Sequence, residues 1–164
     1  MSNLKAFASV RTRYYKADKA FIVLDHSNPS RNGFTCSVNV NPKFSHNNLG
    51  LYSKGCKNGA EALNQACARY KLVTGKKVRK DFNLLFEHIV ILSEHQYVKI
   101  EKKYGEKKAK QLLIHYLRKY AVQIKNEFGF EPIGIDLHLD EGRYEGGRFV
   151  RNIHAHAFFL TMTL

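Results

Sequence analysis

The chain has 164 residues, 44% of them hydrophobic and 12% aromatic, enough for one domain whose core needs no staples. Lys and Arg number 27 against 14 Asp and Glu, and the net charge of +13 favours a polyanionic partner, nucleic acid being the usual one. Three cysteines without paired spacing (Cys36, Cys56 and Cys67) argue against a disulfide framework or a Cys-type zinc site. The lack of an apolar leader or a long apolar span points to a cytoplasmic protein with no membrane partner.

Residues 4–14 alternate loosely and read as a strand. Ala20 to Asp25 is an apolar run short enough for a buried strand, and residues 26–33 are a turn by composition. Residues 34–41 alternate strictly and predict a half-buried strand, whereas 42–58 read as loop. Asn58 is placed to cap a helix over 59–73, which Gly75 ends. Lys76-Lys77-Val78-Arg79-Lys80 is a basic run, either a solvated loop or a DNA contact. Leu84 to Leu92 is an apolar strand interrupted by Glu87 and His88. Apolar residues then recur at helical spacing over about 96–128, with Gly105 dividing the helix and Gly129 ending it. Pro132 restarts the chain as a strand. This order predicts an α+β fold, a central antiparallel β-sheet with helices packed on one face. The chain stops at Leu164 inside an apolar run, so we expect a catalytic domain cut from a longer protein.

The chemistry concentrates near the end, in Asp136-Leu137-His138-Leu139-Asp140-Glu141 and Asn152-Ile153-His154-Ala155-His156-Ala157. Side chains alternate faces along a strand. Asp136, His138 and Asp140 therefore share one face of the first segment, and His154 and His156 share one of the second. If 133–140 and 152–160 pair as a hairpin, the three histidines converge on one side of the sheet. Three neutral imidazoles suit Zn, Mn, Ni or Co better than Mg or Ca, and leave open positions on the ion. An open dication neutralises a phosphodiester oxygen during an in-line displacement. Asp140 and Glu141 are available to orient a histidine, bind the metal or handle a proton. The plainer alternative is that these are ordinary polar-face histidines, as we take His46, His88, His95 and His115 to be.

His138-Leu139-Asp140-Glu141 followed by Asn152-Ile153-His154-Ala155-His156 resembles the plasmid mobilisation relaxases of the MobV (Pre/Mob) group, in the HUH superfamily of single-stranded-DNA endonucleases. The loop 41–47, the strand through Glu87-His88-Ile89-Val90 and the long helix before His138 are similar in order. The chain departs from that pattern in a longer insert between Glu141 and His154, and in lacking the usual proline just before His154. The resemblance implies a HUH-endonuclease-like fold and a divalent metal on His138, His154 and His156, with Mn or Mg in use and Zn, Ni or Co as alternatives. It implies nicking of single-stranded or supercoiled plasmid DNA at a transfer origin, with the 5′-phosphate kept covalently and a free 3′-OH released. Accessory mobilisation or conjugation proteins are possible partners.

In the superfamily's replication initiators the nucleophilic tyrosine follows the His-X-His element. Only eight residues follow His156 here, none of them tyrosine, so the nucleophile should lie in the N-terminal part. His26 resembles the histidine nucleophile of MobV relaxases, and Tyr14-Tyr15 resembles the paired tyrosines of the large conjugative relaxases. We favour His26. A histidine deprotonates near its reference pKa of about 6.5, whereas a tyrosine, near 10, needs more help. Arg11, Arg13, Arg31 and Lys54 are candidates for phosphate contacts. The competing readings are a rolling-circle initiator or single-strand transposase of the same superfamily, a metal-dependent hydrolase with no covalent step, and a non-catalytic basic nucleic-acid-binding module.

Overall fold

The computed structural model describes residues 8–29 and 39–162. Strand β1 (Ala8–Lys16) leads into helix α1 (Ala17–Ser27); a 3-10 helix (Pro42–Asn47) precedes β2 (Leu49–Tyr52), α2 (Gly59–Thr74) and β3 (Asn83–Leu92). Helices α3 (Glu94–Tyr104) and α4 (Glu106–Phe128), strand β4 (Glu131–His138), the short strands β5 (Gly142–Glu145) and β6 (Arg148–Arg151), and β7 (Ile153–Leu160) complete the chain. The main sheet has the order β1-β3-β7-β4-β2, and every neighbouring pair is antiparallel.

Local chemistry sets most of these boundaries. Asn58 caps α2 by accepting the Glu61 N–H at 2.8 Å, while the Glu61 carboxylate accepts the Lys57 N–H at 2.8 Å. Ser93 caps α3 by accepting from the Gln96 N–H. Gly105, at φ 81°, separates α3 from α4 in a conformation that side chains rarely adopt.

Two expectations need correction. Residues 20–25 are helical, not a strand. A continuous apolar run cannot distinguish the two periods, and here only Ala20 and Leu24, four apart, are buried, while Phe21 and Ile22 face outward. Within 42–58, read as loop, lie the 3-10 helix and β2. Four residues carry too little pattern to announce a strand, and β2 exists because β4 offers it an edge to pair with. The strand expected over 34–41 falls largely outside the described residues.

Helices cover both faces of the sheet, not one. Tyr97 of α3 and Ala109, Leu117, Ala121 and Ile124 of α4 pack on Phe86, Ile135, Leu137, Ile153, Ala155 and Phe159. On the other face, Ala20 and Leu24 of α1 and Ala62 and Leu63 of α2 pack on Leu84, Leu85, Ile133, Phe158 and Leu160. Each fully buried Leu or Phe contributes about 1.5–3 kcal/mol of transfer free energy. On this second face the apolar contacts lie towards the Leu160 end of β7, and its histidines lie towards the Ile153 end.

The β5–β6 hairpin interrupts the run between β4 and β7, and a buried arginine anchors it. Arg151 bonds Glu101 in bidentate fashion at 2.6 and 3.2 Å, lies 3.7 Å from Glu94, and sits over the rings of Phe44 and Tyr97. At the hairpin base Gly142 is required, because a Cβ there would stand 2.2 Å from the Val150 carbonyl oxygen. Arg151→Met would take the two-pronged partner from the half-buried Glu101, while Glu94 keeps Arg148. It is expected to cost about 3 kcal/mol, measured by urea denaturation. Arg151→Lys should recover only part of this loss, since an ammonium cannot reproduce the two-pronged contact.

Candidate metal centre

Three strands present the histidine face. His138 on β4 is directly opposite His154 on β7, and Asp136 is opposite His156. Ile89 and Ile91 of β3 flank His156 and His154 from the other side. The three imidazoles converge, with ring centroids 5.1 Å apart for His138–His154, 5.4 Å for His138–His156 and 5.2 Å for His154–His156. His138 and His154 are buried, whereas His156 is half-buried.

Hydrogen bonds orient each ring. A carbonyl oxygen only accepts, so the nitrogen facing it carries the proton. His154 donates from Nδ1 to the Asn152 carbonyl at 2.8 Å, which turns Nε2 towards Glu141. His138 donates from Nε2 to the Ser27 carbonyl at 2.7 Å, so its Nδ1 is the nitrogen turned to Glu141. His156 donates from Nδ1 to Glu87 at 2.6 Å. Glu141 lies 3.8 Å from both His138 Nδ1 and His154 Nε2.

Ligand atoms of His138, Glu141 and His154 all lie within 4.8 Å of one another, the one such group among the described residues. His156 stands beside this group and not within it, its ring centroid 5.4 Å from that of His138 and 5.2 Å from that of His154. Two imidazoles and a carboxylate, with a third imidazole adjacent and each ring held by a hydrogen bond from its other nitrogen, are a donor set that fits a divalent transition ion. Asp140 does not join it. Its carboxylate accepts from Ser45 at 2.7 Å and its carbonyl accepts from the Asn41 N–H at 2.7 Å, tying the loop 41–47 to the metal strand.

The N-terminal candidates separate cleanly. A cavity of about 240 Å³ opens beside the histidines and is lined by Arg11, His26, Ser27, Glu141, His154 and His156, among others. His26 lies in the last turn of α1 and is exposed. Tyr14 lies on the opposite face of the sheet, its ring 4.6 Å from that of Phe86 in the core under α3 and α4. Tyr15 shares the histidine face, but its hydroxyl donates to Glu87 at 2.7 Å. Burial, followed by the Glu87 bond and charge, pushes that phenol up to about 12. Of the arginines and lysine considered for phosphates, Arg11 lines the cavity and Arg31 falls outside the described residues.

Sequence reasoning passed over Glu87. Burial raises its carboxyl pKa, but hydrogen bonds from His156 and Tyr15, with the charges of His156 and Arg13, more than offset this and hold it below the usual range. A carboxylate in the middle of an apolar strand was the available signal, because a buried charge needs partners. Ser27 was also unmarked, and Asp136 was placed on the histidine face but given no role. Asp136 is fully buried and accepts from Ser27 Oγ and Tyr52 Oη.

Solved structures of similar fold include relaxase domains. The MobM relaxase domain (MOBV; Mob_Pre), Mn-bound and bound to a 22-nucleotide plasmid pMV158 oriT DNA, is 18% identical at a TM-score of 0.62, over 93% of this chain and 69% of that one. The same domain with 23-nucleotide oriT DNA is 15% identical at a TM-score of 0.61, over 93% and 67%. With 22 nucleotides and a 3′-thiophosphate it is 17% identical at 0.57, over 93% and 69%. At these identities the likeness establishes the fold: a five-stranded antiparallel sheet with helices packed on it. No protein-family model and no curated protein matches the sequence. No helix among the described residues is long and apolar enough to cross a membrane.

Proposed function

We propose that the chain is a metal-dependent DNA-nicking relaxase of the MobV kind, acting on single-stranded or supercoiled DNA at a plasmid transfer origin, with His26 as nucleophile. The observation that carries this reading is the meeting of His26 with His154, His156 and Glu141 in one cavity. The relaxase-domain fold, whose solved examples hold Mn and oriT DNA, supports it, as does the +13 charge.

In the proposed reaction an imidazole nitrogen of His26 bonds to the scissile phosphorus as the bond from phosphorus to the 3′-oxygen breaks. The 5′-phosphate stays on His26, and the leaving 3′-oxygen takes a proton from water to become the 3′-OH. His138, His154 and His156 would hold the divalent ion, with Glu141 completing the donor set. Once bound, the ion supplies positive charge against the phosphate oxygens. Arg11 is placed for a phosphate contact. His154 and His156 keep their lone-pair edges turned inward because Asn152 and Glu87 take the opposite N–H.

The test is a nicking reaction on a supercoiled plasmid carrying the DNA that flanks this gene. With Mn the expected product is an open circle bearing protein on its 5′ end; with EDTA no product is expected. Open circles that never carry protein would instead favour a hydrolase without a covalent step.

A further inference from the structure

Ser27 makes two contacts with β4 across more than a hundred residues of sequence. Its hydroxyl stands 2.8 Å from Asp136 Oδ2 and 3.2 Å from the Leu24 carbonyl oxygen, and the nearer, charged acceptor takes the proton. Its carbonyl accepts the His138 Nε2–H at 2.7 Å. Ser27, Asp136 and His138 are all buried. Asp136 is held from its other oxygen by Tyr52, on edge strand β2.

We infer that Ser27 is a positioning residue that sets the end of α1, and with it His26, in register with the metal ligand His138. Both consequences follow from geometry. First, the carbonyl fixes the tautomer of His138, so this ring offers Nδ1 to the metal while His154 offers Nε2. Second, the hydroxyl pins the last turn of α1 to a strand residue two positions from His138. His26 immediately precedes the pinned residue. A helix terminus held only by its own backbone frays, and a nucleophile on it would sample many positions relative to the phosphate. One residue therefore joins two parts of the centre that the sequence keeps far apart. The nucleophile half of this inference rests on the nicking reading; the metal-ligand half does not.

Three measurements test it. In metal-free wild-type protein labelled with 15N-histidine, His138 is expected as the Nε2–H tautomer, with His154 and His156 as Nδ1–H; a His138 protonated at Nδ1 overturns the proposal. In Ser27→Ala, calorimetric titration with Mn alone should show Kd raised about 10-fold. Single-turnover adduct formation at saturating Mn should slow about 10- to 100-fold with DNA affinity unchanged. Ser27→Thr, which keeps the hydroxyl, should recover most of both. Wild-type Mn affinity in Ser27→Ala, or a Ser27→Thr protein as impaired as Ser27→Ala, overturns it. If Ser27→Ala does not fold, the wild-type tautomer still decides, and a Ser27→Thr protein whose Mn Kd is raised about 10-fold over wild type overturns the proposal. If wild-type protein forms no adduct at all, the nicking reading fails, while the tautomer and the Mn titration continue to judge the role of Ser27.

Discussion

His26→Ala is expected to eliminate the protein–DNA adduct, a loss on the order of 10³-fold or more, whereas Tyr14→Phe/Tyr15→Phe should retain most of it. The difference follows from placement. His26 is exposed at the cavity that holds His154 and His156. Tyr14 lies across the sheet against Phe86. The Tyr15 hydroxyl is committed to Glu87, and a phenol raised to about 12 is further from the attacking phenolate than an unperturbed one. Its loss should cost only a few-fold, through one fewer donor on the carboxylate that orients His156. The bond itself provides an independent check. A phosphohistidine link is lost in acid and a phosphotyrosine link survives, so an adduct that withstands acid would rule out His26.

The second large effect is expected at the histidine face. His138→Ala and His154→Ala should each lower Mn affinity by more than about 100-fold and reduce adduct yield in proportion, since each removes a buried donor that no neighbour replaces. Glu87→Gln keeps the fold of β3 but weakens the acceptor for His156 Nδ1, and should cost about 10- to 100-fold in Mn affinity. Calorimetry with Mn alone gives these numbers without reference to DNA. An adduct yield unchanged by His138→Ala would falsify the assignment of the three histidines to the metal.

The histidine face was legible before any coordinates because strand alternation is a local rule. His138 and Asp136 share a face by their spacing on β4, as His154 and His156 do on β7, and the sheet needs only to pair those two strands. The long helices were legible for the same reason, with Gly105 and Gly129 at the breaks; of the residues at helical spacing Leu117 and Ile124 are buried, whereas Tyr116 and Phe128 are exposed. Residues 20–25 were misread because five consecutive apolar residues, Ala20 to Leu24, carry no period. The burial that makes them helical comes from α2, supplied much later in the chain. Helix α2 was foreseen from its cap and spacing, but its side of the sheet was not, and α1 was not foreseen at all.

Taken alone, the sequence determined the strand phase that puts Asp136 with His138, and His154 with His156, on one face, and the strongly basic composition, since the first depends on local alternation and the second on residue content. The tertiary structure alone decided which N-terminal side chain meets that face. It also decided which acceptor turns each imidazole: Asn152 for His154, Glu87 for His156 and Ser27 for His138. Two of those three bonds join different strands or a helix and a strand. Their geometry is set by sheet register and by the docking of α1, and neither is written in the spacing of residues along the chain.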